Sequence, residues 1–293
     1  MDSSELSVRV DYLRYSAANG IPINSLVPYE LTVNMADNLD PLPNYTHACK
    51  IAPAGRIDWN VRSETQGSLV TLSGGDLTDI YTDGITGEYL ARFVAKNKWL
   101  HASRIDLAAD LVGKNRNPTD ILDAWRERRI KSHVRSCDQI IGYDADRERD
   151  GNTVMFGSRK SETFLRIYDK GLESKSDELW TRIEFELKGD RAKTANNKTA
   201  ALSVGQVLYA LLISFIQVTG VKWWTDAINA LPQAKDILKD KRKSDKSNSQ
   251  KWLELQALPA VCNAIIDSNE YVRDEILRAL IAYNDKTNNL HPE

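Results

Sequence analysis

The order of apolar and polar positions along the chain predicts most of its elements. Val8 to Tyr15 alternates and is rich in β-formers, which predicts a first strand. Residues 16–46 carry Gly20, Pro22, Pro28, Pro41 and Pro43 and predict mostly loop, with one short helix near Leu31. Arg56 to Arg62 and Ser68 to Leu72 predict two strands around a polar turn, and Gly74-Gly75 breaks the chain after them. In residues 86–98, Leu90, Phe93, Val94 and Asn97 recur at helical spacing. Ala102 to Leu111 predicts a strand. Asn117-Pro118-Thr119-Asp120 then predicts the start of a helix reaching about Val134.

Four more strands follow at Gln139–Tyr143, Thr153–Gly157, Thr163–Asp169 and Leu179–Leu187. Helices are predicted over 199–219 and 252–284. Between them, residues 233–251 are charged and poor in apolar residues, with Lys241-Arg242-Lys243 at the centre, and predict an exposed connection. This order implies an α+β fold: an antiparallel-rich sheet domain with flanking helices over residues 1–195, then a helical C-terminal region over 196–293. Arg56-Ile57-Asp58 and Arg104-Ile105-Asp106 form a weak internal echo, each opening a strand with a helix further on.

Composition narrows the class. The 293 residues carry 27% charged residues and a formal net charge of -2, which argues against a protein that holds nucleic acid by bulk charge alone. Local basic patches are left open by that balance. Cys49, Cys137 and Cys262 lie far apart and form no CxxC pair, so neither a cysteine-rich zinc site nor a disulfide framework is expected. The first fifteen residues, MDSSELSVRVDYLRY, lack a basic region followed by an apolar core. The apolar stretch Val204–Val221 is interrupted by polar residues. A cytoplasmic protein with no membrane partner is expected.

Three strands carry polar residues on one face, because side chains two and four apart in a strand point the same way. Arg104, Asp106, Ala108 and Asp110 share one face, with Ile105, Leu107 and Ala109 opposite. Phe164, Arg166, Tyr168 and Lys170 form a second set, and Arg182, Glu184 and Glu186 a third. Each alone is what the wet face of an antiparallel sheet looks like. Together they can form one patch of carboxylates, cations and a tyrosine. Carboxylate oxygens suit hard cations such as Mg²⁺ or Mn²⁺. A metal polarises a phosphate, Arg or Lys stabilises the transition-state charge, and an activated tyrosine hydroxyl attacks phosphorus. Lys170, on the tyrosine's own face, is expected to lower its pKa. Of eleven tyrosines, Tyr12, Tyr89 and Tyr143 sit beside apolar residues and are expected in the core, whereas Tyr168 is flanked by two cations.

The segments SRIDLAAD (103–110), NTVMFGSRKSETFLRIYDKGLES (152–174) and WTRIEFELKGDRA (180–192) together resemble the replication initiation factor family. That family holds rolling-circle replication initiators of plasmids and filamentous phages, and relaxases of some integrative conjugative elements. The likeness covers roughly residues 100–192 and is weaker from about residue 8 onward. It implies a nickase that cuts one DNA strand at an origin, leaving a 5′-phosphotyrosine link and a free 3′-hydroxyl primer. By this resemblance Tyr168 is the nucleophile, with Arg166 and Lys170 at the scissile phosphate. Asp106, Glu184 and Asp110 would hold a divalent metal, Mg²⁺ or Mn²⁺. Arg104, Arg159, Lys160 and Arg182 would contact DNA. Host helicase and polymerase, and a second copy in a homodimer, are the implied partners.

No His-hydrophobe-His motif is present, since His101 and His133 stand singly. Origin recognition is expected from Arg128, Lys131 and Arg135, a basic stripe if the helix from 118 runs to 134, or from the segment near residue 242. Two rival functions use the same residues: a relaxase that starts conjugative transfer, and a non-catalytic DNA-binding regulator on the same fold. A globular protein with a merely wet sheet face is the plain alternative.

Overall fold

The computed structural model describes residues 6–60, 67–113 and 116–234. It divides the chain into two compact units, residues 1–238 and 239–293. The second unit, with the predicted helix 252–284, Cys262 and the basic run near 242, lies outside the described residues.

The first unit is built on a ten-stranded antiparallel sheet. Its strands are β1 (Leu6–Ala17), β2 (Thr32–Asn38), β3 (His47–Ala52), β4 (Arg56–Trp59), β5 (Ser68–Leu72), β6 (Leu100–Val112), β8 (Cys137–Tyr143), β9 (Arg149–Phe156), β10 (Thr163–Asp169) and β11 (Trp180–Lys188). A separate ribbon pairs β7 (Ile130–Ser132) with β12 (Ile216–Val218). The helices are α1 (Gly74–Thr82), α2 (Gly87–Lys96), α3 (Thr119–Arg126), α4 (Lys170–Ser174), α5 (Gly189–Ala201), α6 (Val204–Phe215) and α7 (Lys222–Ala230). This is the predicted α+β class.

Sheet order is β2-β3-β4-β5-β1-β6-β11-β10-β9-β8. Reading outward from the central pair, β1-β5-β4-β3-β2 on one side repeats the connectivity of β6-β11-β10-β9-β8 on the other. Two helices close each half, α1 and α2 after β5 and α5 and α6 after β11. The echo of Arg-Ile-Asp is unrelated to this repeat. Arg56-Ile57-Asp58 lies on β4, third from the centre, and Arg104-Ile105-Asp106 on the central β6.

One face of the sheet is apolar. Val10, Leu13, Ile105, Leu107, Ile183, Phe185 and Leu187 are fully buried there, at about 1.5–3 kcal/mol for each large side chain. Helices α2, α5 and α6 contact the central strands β1 and β6. The end of α5 and all of α6, beyond residue 195, thus belong to the same unit as the sheet. Of β1, only Leu13–Ala17 pairs with β5, and α1 stands beside the rest: Tyr81 donates to Val10 O at 2.7 Å, and Arg9 reaches Gly74 O and Thr78.

Several elements differ from the sequence reading. β2 arises inside the proline-rich loop because β3 supplies its hydrogen-bond partner. α1 begins at the Gly-Gly break, where Ser73 and Asp76 form a capping box. α5 escapes the pattern because its buried face is made of Ala192, Ala195, Asn196 and Thr199, which carry no hydrophobic period. The predicted 199–219 helix falls in three elements: its first residues end α5, the Ser203–Gln206 capping box starts α6, and Ile216 leaves it for β12. The predicted 118–134 helix stops at Arg126. Arg128 has φ 59°, a left-handed backbone, and the chain then enters β7. Lys131 therefore lies on a strand and Arg135 in the loop beyond it, so the expected basic stripe of Arg128, Lys131 and Arg135 does not form. No described helix is long and apolar enough to cross a membrane.

Candidate active site

The polar face of β1, β6, β11 and β10 gathers the predicted residues. Cross-strand register sets the arrangement: Glu186 faces Asp106, Glu184 faces Ala108 and Arg166, and Arg182 faces Asp110 and Tyr168. Directly opposed residues on one face touch, so this ladder decides which charges meet.

Tyr168 is buried, with its hydroxyl donating to Glu184 Oε2 at 2.8 Å. Arg166 pairs with the other Glu184 oxygen. The guanidinium of Arg166 lies 5.8 Å from the centre of the Tyr168 ring, and Lys170 Nζ 5.9 Å. Burial raises the Tyr168 pKa above its ordinary value, and the Glu184 charge adds to this. Arg182 opposes that shift. Lys170 opens α4 and pairs with Glu173 at 2.5 Å.

Asp106 is held by Arg104, which donates from Nε at 2.9 Å and Nη2 at 2.6 Å. Burial pushes its carboxyl up to about 7, with Glu184 and Glu186 adding to the shift and Arg104 opposing it. Glu186 also pairs with Arg104 at 3.0 Å and with Lys188 at 2.5 Å. Burial alone would raise the Glu186 carboxyl, but these cations hold it below the ordinary range. Sequence reasoning had Glu186 on the right face and gave it no role; its register opposite Asp106 is what singles it out.

Asp110 has a different occupation. Arg182 donates to both of its oxygens, at 2.6 and 2.9 Å, and Trp180 Nε1 donates to Oδ1 at 2.7 Å. Arg182 is 3% exposed and also pairs with Asp11 at 2.8 Å. It cannot contact a DNA backbone from this position, and the expectation that it would is corrected. Its place behind Tyr168 makes it an internal cation, and Asp110 and Asp11 are the anions that fix it.

Asp11 has no counterpart in simple alternation. The β1–β6 register shifts between Val10 and Tyr12, so Asp11 is the extra residue of a bulge. The bulge keeps Val10 and Leu13 in the core while Arg9, Tyr12 and Arg14 face the site. Tyr12 is thus on the polar face, its ring 4.2 Å from the Arg104 guanidinium. Tyr89 bonds Glu30 and Tyr143 is 64% exposed, so none of these three is the core tyrosine expected. Tyr15 takes that place and donates to Leu26 O at 2.8 Å. Arg159 and Lys160 are exposed in the turn before β10.

Asp106, Glu184 and Glu186 offer only oxygen donors, the type a hard divalent cation takes. Among the described residues no three carboxylate, histidine or cysteine side chains converge on one point as they stand. Arg104, Arg166 and Lys188 hold the three carboxylates singly or in pairs. The donor chemistry fits a divalent ion once these cations turn toward a phosphate.

Comparison with known proteins bears on this geometry. The chain is similar to a candidate DNA relaxase, NicK, of Bacillus subtilis (strain 168), at 26% identity over 202 residues. That match covers 61% of this chain and 57% of the relative, less than two thirds of its length. In fold the chain resembles a rolling circle replication initiator protein from Geobacillus stearothermophilus, with a TM-score of 0.62, 19% identity, and coverage of 80% of this chain and 94% of that one. The family model described as replication initiation factor matches residues 101–281, a stretch that takes in β6, β10 and β11. With more than half of its length matched in this way, the chain belongs to the replication initiation factor family.

Proposed function

We propose that this protein initiates rolling-circle replication by cutting one DNA strand at an origin and holding the new 5′ end on Tyr168. The observation that carries this reading is the Tyr168 hydroxyl, which is buried on the carboxylate-rich face, bonded to Glu184 and backed by Arg182. Among the described residues, Tyr168 is the tyrosine of the matched segment that combines an acceptor for its proton with flanking cations. The family assignment, the fold and the relaxase relative support the same chemistry.

In this mechanism Tyr168 Oη forms the new bond to phosphorus, and the 3′ oxygen leaves with the electron pair of the broken bond. The hydroxyl proton has an acceptor in place at Glu184 Oε2. Arg166 keeps a buried Nε–H without a hydrogen-bond partner among the described residues, while 22% of its side chain is exposed, so its guanidinium can turn toward a phosphate oxygen. Asp106 and Glu186, with Glu184 beside them, are the residues that would hold Mg²⁺ or Mn²⁺. Asp110 is committed to Arg182 and Trp180 and is assigned to positioning. A bound ion would supply Lewis-acid polarisation of the phosphate.

The test is a nicking assay on supercoiled plasmid carrying the native replicon, with Mg²⁺ or Mn²⁺ and an EDTA control. A protein–DNA adduct on a denaturing gel is expected with metal and is lost in Tyr168→Phe, while DNA binding stays within about twofold. Normal nicking by that variant would remove Tyr168 from the reaction. The relaxase relative favours a second reading, transfer of a mobile element, with the same chemistry. A mobilisation assay with the nicked origin separates the two.

A further inference from the structure

The strand register aligns cations in a single line across the site face. Arg56 on β4 faces Thr71 on β5, Thr71 faces Arg14 on β1, Arg14 faces Arg104 on β6, and Arg104 faces Lys188 on β11. Side-chain contacts place them on one face. Arg14 Nε donates to Thr71 at 3.3 Å, and the Arg14 and Arg104 guanidinium groups lie 5.4 and 4.2 Å from the Tyr12 ring. Five adjacent strands at a spacing of about 4.8 Å make the line about 19 Å long. Lys188 Nζ donates to Arg159 O at 2.5 Å, which joins the line to the turn that exposes Arg159 and Lys160.

We infer that this line is a track for the backbone of one DNA strand passing beside the nicking site, which it borders where Arg104 pairs with Asp106 and Glu186. The inference rests on the proposed reading that the face acts on DNA. Its new content is Arg14, Arg56 and Lys188. Arg14 and Arg56 come from the first half of the sheet, outside the matched segment 101–281.

Three features carry the assignment. Arg14 bonds a hydroxyl and lies against a ring, and pairs with no carboxylate among the described residues, so its charge is uncompensated. Arg56, Arg104 and Lys188 pair with Asp58, with Asp106 and Glu186, and with Glu186, yet keep 27, 26 and 34% of their side chains exposed, which leaves donors for a phosphate. Carboxylates border the line on both sides, Asp58 on one and Asp106 and Glu186 on the other. These buried carboxylates confine the exposed cationic donors to one row, the width of a single phosphate backbone, so the line fits a single strand. The Tyr12 ring and the Arg104 plane add stacking surface of the kind single-strand binders use.

The experiment measures binding of a fluorescent 20-nucleotide oligo(dT) by the full chain carrying Tyr168→Phe, over a series of salt concentrations. Each phosphate contact on a single strand adds about 0.7 to the slope of log affinity against log salt. Arg14→Gln and Lys188→Gln are each expected to reduce the slope by about 0.7 and weaken binding several-fold. Arg56→Gln is read only if its thermal unfolding matches the parent, because Asp58 is fully buried beside it. Lys193→Gln, exposed on α5, is expected to change nothing. Unchanged slopes in both Arg14→Gln and Lys188→Gln overturn the track. An equal loss of affinity on a 20-base-pair duplex overturns its assignment to a single strand. Because the background protein lacks the nucleophile, this outcome is independent of whether Tyr168 is the nicking residue.

Discussion

Asp106 shows how a single residue on this face couples folding to pH. Its carboxyl is pushed up to about 7 in the folded chain by burial, with the neighbouring Glu184 and Glu186 adding to the effect, against 3.8 for the free side chain. Between those values the unfolded chain has released the proton and the folded chain still holds it. Asp106 therefore lowers stability as pH rises from about 4 to about 7, by up to about 1.4 kcal/mol per pH unit, and adds no slope above that. Asp106→Asn removes this contribution. Urea unfolding at pH 5 and pH 8 is expected to show the variant gaining on the parent at the higher pH. Added Mg²⁺ is expected to stabilise the parent more at pH 8 than at pH 5, and the variant little at either. A variant that tracks the parent across this range would show that Asp106 is already ionised in the folded chain. The residue types of this site were legible in the sequence, since alternation put Asp106, Tyr168, Glu184 and Glu186 on polar faces. Which of them meet was not. That depends on cross-strand register, and register is what separates Asp110, engaged by Arg182 and Trp180, from Glu186, opposite Asp106.

At the scale of the element, β1 is the instructive case. Its alternation was legible, but the bulge at Asp11 was not, because one extra residue between Val10 and Tyr12 leaves the hydrophobic pattern readable on both sides. Similar limits hid α5, whose buried face is small and partly polar, and lengthened α3 across Arg128, where only the backbone conformation ends the helix. The bulge makes a sharp expectation possible. Deleting Asp11 joins Val10 to Tyr12, and the strand then alternates without a break: Val10 stays in the core, Tyr12 stays opposite Asp106 and Leu13 stays in the core. The shortened strand is expected to fold with an unchanged far-ultraviolet circular dichroism spectrum. It lacks one of the two anions that hold Arg182, whose 2.8 Å pair with Asp11 is partly buried. Adduct formation in single turnover is expected to slow about tenfold or more, while oligonucleotide affinity stays within about twofold. Loss of affinity in proportion to rate would place Asp11 in DNA binding instead.

The whole molecule sets the last constraint. The matched segment 101–281 begins at the second residue of β6, so a fragment cut to that homology would retain every residue proposed for the chemistry. The sheet argues against its folding. β6 is central, paired with β11 on one side and β1 on the other, and the β1 ladder runs from Leu6 to Ala17. Removing residues 1–99 strips the whole hydrogen-bonded edge of β6, together with Val10, Leu13 and Tyr15 from the core and α2 from its contacts with α5. Each lost large apolar contact costs about 1.5–3 kcal/mol, and about a dozen unpaired backbone groups on a long strand with one apolar face form an edge prone to aggregate. The apolar loss alone is comparable to the 5–15 kcal/mol by which an ordinary domain is stable. Expressed alone, residues 100–293 are expected to be insoluble or to lack a cooperative thermal transition, whereas the full chain unfolds in one. Co-expressing residues 1–99 as a separate chain is expected to recover soluble complex, since β1 would then rebuild the central pair. A soluble, cooperatively folding 100–293 fragment would mean that the second half of the sheet is self-sufficient and that β1 is an accessory to the site and dispensable for the fold.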